Sequence, residues 1–114
     1  MPDIAPNAVV NAIAVPLALT AVPDEQWVDG EPRTGSTVFG TFAGLEVGVW
    51  EMSAGAMRDI EAEELFVVLS GSARVDFADG SPSLELNAGD VVRLAAGTHT
   101  EWTVHQPLRK VYLT

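Results

Sequence analysis

The chain has no cysteine, only six basic residues, only two histidines, and no uninterrupted apolar run long enough to cross a bilayer as a helix. Each absence removes a class of function. Without thiols there is no disulfide framework, no thiolate zinc site and no cysteine nucleophile. Six bases against sixteen acids leave a net charge of −10. A phosphate backbone would meet repulsion with no basic stripe to offset it, so no nucleic-acid partner is expected. The segment AVVNAIAVPLALTAV is interrupted by Asn11 and Pro16, and no Lys or Arg precedes it. It therefore reads neither as an export signal nor as a spanning helix. A cytoplasmic protein with no membrane partner is the expectation. A glycine-rich phosphate loop, a G-x-S-x-G elbow and an H-E-x-x-H helix are also missing. Neither histidine has the Ser or Cys context of triad chemistry.

What is present describes a small β-rich domain. The 114 residues are 47% apolar and 19% charged, enough for one core and too short for two ordinary domains. Five of the seven prolines (Pro2, Pro6, Pro16, Pro23, Pro32) fall in residues 1–36, which reads as an extended arm and lead-in strand. Its stretches NAVV and NAIAV have the composition of edge strands. From Thr37 to Thr114 the pattern becomes a single domain of short strands punctuated by glycine. TVFGTF turns at Ala43-Gly44 into LEVGVWEM, where Leu45, Val47 and Val49 share one face and Trp50 and Met52 the other. ELFVVLS, ARVDF, SLELN, VVRLA, TEWTVH and KVYL follow, each four to eight residues long, with a hairpin turn at Asp79-Gly80. The periodicity predicts an all-β fold, an antiparallel sandwich or barrel. LFVVL is apolar on both faces, so its outer face needs the arm, a second sheet or a second subunit; a homodimer is expected.

Two places resemble the signature motifs of the cupin superfamily. The first is EELFVVLSG, with Glu64, a strand, and Gly71. The second is GDVVRLAAGTHTEW, with Gly89-Asp90 opening a strand and Gly97 at the turn, Ala95 standing where the family has proline. Together with WVDGEPRTGS, WEMSAG, Trp102 and the closing LRKVYL, they are similar to small single-domain cupins of unknown function. Those are relatives of the ureidoglycine aminohydrolase and ethanolamine-utilisation cupins. The resemblance spans about residues 27 to 114 and implies an antiparallel double-sheet jelly roll, the cupin β-barrel.

It also implies where a metal would sit, because metal-binding cupins supply three histidines and a glutamate. Counting back from Glu64, the first two histidine positions fall on Arg58 and Ile60, or on Met57 and Asp59; the third falls on Thr100. None is histidine, so no metal or other cofactor is expected. His99 is one residue from the third position and so belongs to the opposite face of its strand. At about 3.3 Å per residue His99 and His105 stand roughly 20 Å apart, too far to share an ion. If a divalent ion such as Mn, Fe, Zn or Ni binds, the ligands left are Glu64, Glu61 and Glu63, with His99 behind them. Glu61 and Glu63 read more simply as members of a solvated loop.

Strand alternation aims Glu64 into the barrel with Phe66. A carboxylate there without a cation requires a raised pKa or a hydrogen-bonding partner, and Arg58, in the loop before it, is the nearest basic candidate. Thr100 and Trp102 share the inward face, where Trp102 closes the pocket or joins the core. Glu64, Trp102, Thr100, Phe66 and Arg58 are thus the pocket candidates. The expected function is binding of a small molecule of undetermined identity without the usual three-histidine metal. The alternatives are a metal-dependent enzyme of the ureidoglycine aminohydrolase type, acting on a small nitrogenous metabolite, and a structural or assembly role.

Overall fold

The computed structural model describes residues 4–114, and among these there is no helix. Nine strands form one curled antiparallel sheet: β1 (Thr20–Ala21), β2 (Trp27–Gly30), β3 (Arg33–Phe42), β4 (Leu45–Met52), β5 (Gly55–Ile60), β6 (Glu64–Phe77), β7 (Leu84–Asn87), β8 (Val91–Leu94) and β9 (His99–Leu113). Closure comes from the two longest strands. The first part of β9 lies between β5 and the end of β6, pairing Met57 with Trp102 and Val75 with Trp102. Its last part lies between β4 and the start of β6, pairing Trp50 with Lys110 and Phe66 with Tyr112. One strand thus serves both walls, and the lumen between them holds Met52, Phe66, Val75, Trp102 and Leu108 at no more than 1% exposure. This is an all-β antiparallel barrel, the architecture that the resemblance implied.

The strands are longer than the glycine punctuation suggested. ELFVVLS and ARVDF are a single strand that kinks at Gly71, with its register to β9 shifting between Val68 and Ala73. Gly71 adopts φ +88°, and a Cβ there would sit 2.0 Å from the carbonyl oxygen of Pro107. The motif glycine lets two bent strands cross and does not end one. TEWTVH and KVYL likewise belong to one strand, β9. The change of pattern placed at Thr37 falls inside β3. Residues 55–60 form strand β5 and not a loop, because both of its edges are paired, to β2 and to β9.

The stretches NAVV and NAIAV are not strands. The Asn11 carboxamide accepts from the N–H groups of Ile13 and Ala14, fixing a turn. The carbonyls of Ala12, Ile13 and Val15 go to the Arg109 guanidinium at 2.7–3.0 Å and not to a neighbouring strand. The arm packs Val10, Val15 and Leu17 on Phe39, Val47 and Val49, the outer face of β3 and β4. Among the described residues, this packing does not include Leu65 on the outer face of LFVVL, which is 43% exposed.

Replacing Gly71 with alanine combines a disfavoured φ with a backbone collision. We expect Gly71→Ala to destabilise the fold by at least about 3 kcal/mol, measured as a shift in urea midpoint. Gly80→Ala, with nothing within 4 Å of its Cβ position, is the control, costing only its strained φ.

Candidate functional site

On β5 and just beyond it, alternation turns Met57, Asp59 and Glu61 toward the lumen and leaves Arg58 and Ile60 exposed outside. On β9 the same alternation buries Thr100, Trp102, Leu108, Lys110 and Tyr112. Glu64 opens β6 between these walls. The result is an inner cavity of about 120 Å³ whose walls include Trp50, Asp59, Glu61, Glu64, Trp102 and Lys110, with the exposed Ser36 also lining it.

At its centre Lys110 donates to Glu64 Oε2 at 2.6 Å, with only 6% and 15% of the two side chains exposed. The ammonium also lies 4.2 Å from the Phe66 ring centroid, 4.6 Å from Trp50 and 5.0 Å from Trp102. Three ring faces thus supply the polarisable shell that water would otherwise give a buried cation. The partner of Glu64 is therefore Lys110 and not Arg58, which is turned outward from β5 by the period of the strand. A sequence signal existed: Lys110 occupies the inward phase between Leu108 and Tyr112.

Glu61 is also not in a solvated loop. It is 8% exposed, and its Oε2 accepts from the Thr100 hydroxyl at 2.6 Å and from the Trp102 indole N–H at 3.0 Å. Its backbone is clipped to the turn at Gly97: Glu61 N–H donates to Thr98 O, and Gly97 N–H donates to Glu61 O, each at 2.8 Å. The second cupin motif thereby holds an acid that lies two residues before the first. Glu63 does face solvent, paired with Arg93 at 2.9 Å, and that hydrogen bond holds its carboxyl below the usual range. Phe66 lies beneath Lys110 at 0% exposure. His99 and His105 are exposed on the outside.

Burial, reinforced by the charge of Glu61, pushes the Asp59 carboxyl up. Its Oδ1 accepts from Ile60 N–H at 2.8 Å and from Gln26 Nε2 at 3.3 Å. Tyr112 donates to Glu46 at 3.0 Å, and burial, then this hydrogen bond, push its phenol up to about 12.

A larger hollow of about 700 Å³ includes Glu25, Arg58, Asp76, His99 and Glu101 and shares Asp59 as a wall residue with the inner cavity. We place the site in the smaller space, because there buried charge and indole converge, whereas the larger one is an open depression carrying exposed side chains.

The donor set does not fit the cupin metal. Of the positions at which the resemblance places metal ligands, those that face the lumen are Met57, Asp59, Glu64 and Thr100, a thioether, two carboxylates and a hydroxyl, with no imidazole. Lys110 already neutralises Glu64, and Thr100 spends its hydroxyl on Glu61. Among the described residues no group of three or more His, Cys, Asp or Glu is disposed to hold a metal ion.

Removing one partner of a buried pair strands the other. Lys110→Met should cost about 3 kcal/mol or more, and adding Glu64→Gln should recover a substantial part, a coupling readable in a denaturant double-mutant cycle. A second outcome concerns pH. The folded state keeps the Tyr112 proton to about 12 while an ordinary phenol releases it near 10. The stability from this group is present below pH 10 and declines as pH rises from 10 to 12. Tyr112→Phe, which removes the sole tyrosine, should flatten that part of the decline in unfolding free energy.

Comparison with known proteins agrees with this architecture. The model of the EutQ-like cupin domain matches residues 42–112. A Clostridium difficile EutQ protein superposes at TM-score 0.63 and 15% identity, over 83% of this chain and 79% of that one. An Acidithiobacillus ferrooxidans protein of unknown function (DUF1255) gives TM-score 0.64 and 21% identity over 96% and 97%. A DUF861 family protein from Thermotoga maritima gives TM-score 0.53 and 28% identity over 56% and 73%. No curated protein matches in sequence. With both motifs and strands β4 to β9, as far as Tyr112, inside the matched span, the chain belongs to the EutQ-like cupin domain family.

Proposed function

We propose that this cupin binds a small polar molecule in the inner cavity without a metal, using the charges already assembled there. The observation that carries the reading is the Lys110–Glu64 pair, buried beneath three aromatic rings and bordering a polar cavity of about 120 Å³. A buried ion pair is weak as a source of stability, since a hydrophobic pair of similar volume often does as well. Kept beside a cavity with further carboxylates, it is better suited to presenting fixed charge to a ligand. The indoles of Trp50 and Trp102, 5.6 Å apart, supply the flat walls such a ligand would pack on.

The test is nitrogen-15 NMR of the protein, in the presence of a chelator, against a panel of small cationic, anionic and neutral polar molecules. Binding should move the indole N–H resonance of Trp102, which is hydrogen-bonded to Glu61 in the free protein. Shifts confined to His99 and the outer hollow, or binding that requires a stoichiometric metal ion, would overturn the reading.

A further inference from the structure

We infer that the ligand of the inner cavity is a small organic cation bearing N–H donors, a protonated amine or a guanidinium, held by Asp59, Glu61 and Glu64. This rests on the inner-cavity reading above and names its ligand class. It follows from an inventory of charge and of hydrogen-bonding atoms.

The cavity walls contain three carboxylates and one ammonium. Lys110 offsets one negative charge through Glu64, so Asp59 and Glu61 remain without a cationic partner. The oxygens are divided the same way. Each carboxylate has one oxygen engaged: Asp59 Oδ1 with Ile60 and Gln26, Glu61 Oε2 with Thr100 and Trp102, Glu64 Oε2 with Lys110. Asp59 Oδ2, Glu61 Oε1 and Glu64 Oε1 receive no hydrogen bond from any described residue. Yet no sealed side-chain oxygen or nitrogen among the described residues lacks a partner. These three oxygens therefore open onto accessible space, including that of Glu61, whose side chain is otherwise buried.

Most of the wall's donors, by contrast, are spent, although the Trp50 indole N–H and the Ser36 hydroxyl have no partner among the described residues. The Thr100 hydroxyl and Trp102 indole go to Glu61, the Tyr112 hydroxyl to Glu46, and the Lys110 ammonium to Glu64 beneath its rings. An anion would meet acceptors and excess negative charge. A cation with N–H groups would meet free acceptors and the ring faces of Trp50 and Trp102. The outer hollow, which shares Asp59 with the cavity as a wall, is also net acidic: Glu25, Glu101 and Asp76, the last paired with Arg74, stand there against Arg58.

Size limits the choice. A space of about 120 Å³ is roughly four waters at about 30 Å³ each, so the ligand has on the order of four to six non-hydrogen atoms.

The experiment is titration of the intact protein with guanidinium, methylammonium, tetramethylammonium, acetate and acetamide, each at matched ionic strength. Calorimetry gives affinity, and the Trp102 indole resonance gives location. Guanidinium and methylammonium should bind and shift that resonance. Tetramethylammonium, a cation without N–H donors, should bind at least tenfold more weakly, and acetate should not bind. Glu61→Gln and Asp59→Asn should each weaken guanidinium at least tenfold, with thermal unfolding confirming that the variants are folded. If a variant fails to fold, the wild-type order of probes decides alone. Acetate or acetamide binding in the cavity as tightly as guanidinium would overturn the cationic assignment and leave the cavity reading standing. If no probe of any charge moves Trp102, both fall.

Discussion

The inside of this barrel is organised around one constraint: a lysine side chain only 6% exposed in the lumen needs partners for its ammonium. Glu64 supplies the counter-charge at 2.6 Å, and Phe66, Trp50 and Trp102 close around the nitrogen. Those four residues come from β4, β6 and β9, so the ion pair ties together strands from both walls. Once it is formed, the glutamate of the first motif is no longer available as an unpaired ligand, and the lumen has its own internal cation. The missing imidazoles then cease to be a gap in the design. Positions occupied by Met57 and Thr100 serve as wall and as hydrogen-bond donor.

A second acid is placed by the other motif. Glu61 lies just after β5, where nothing in its own strand would fix it. The Gly97 turn does so through two backbone hydrogen bonds, while Thr100 and Trp102 on the same face of β9 set the carboxylate. The charge-assisted bonds to Glu61 cost both donors their freedom to bind anything else. That expenditure leaves Asp59, Glu61 and Glu64 each with an oxygen that no described residue engages, against a single ammonium already paired to Glu64.

An antiparallel sandwich or barrel was legible from alternation and glycine spacing. A period of two put Glu64 with Phe66 and Thr100 with Trp102 on shared faces, but for Thr100 and Trp102 it took the cupin resemblance to say which face was inward. Partners across the barrel were not legible. Lys110 is 46 positions from Glu64, and only the closure of β9 against β6 brings them together. Glu61 was misread for a different reason. GAMRDI has a glycine and an aspartate, poor strand formers that match a loop by composition, but pairing on both edges makes it strand β5. Had that been known, the inward phase of Met57 and Asp59 would have led directly to Glu61. The arm misled in the opposite sense: its Val- and Ala-rich stretches have strand composition, yet Arg109 takes the carbonyls that a strand neighbour would need.

Arg109 and Lys110 show how little sequence separates the two tasks of this molecule. As neighbours on β9 they point to opposite faces. Arg109 goes outward, where it holds Glu51 at 2.8 Å and the carbonyls of the arm. Lys110 goes inward to Glu64. A planar fork with several donors suits the first position, where one side chain must gather a carboxylate and three carbonyls. A compact ammonium suits the second, where the charge must fit beneath three rings. Exchanging the two would leave composition and net charge unchanged and fail on both faces. In a chain with sixteen acids and six bases, two of the bases are thus committed to fixed positions, one clamping the exterior and the other setting the field of the cavity.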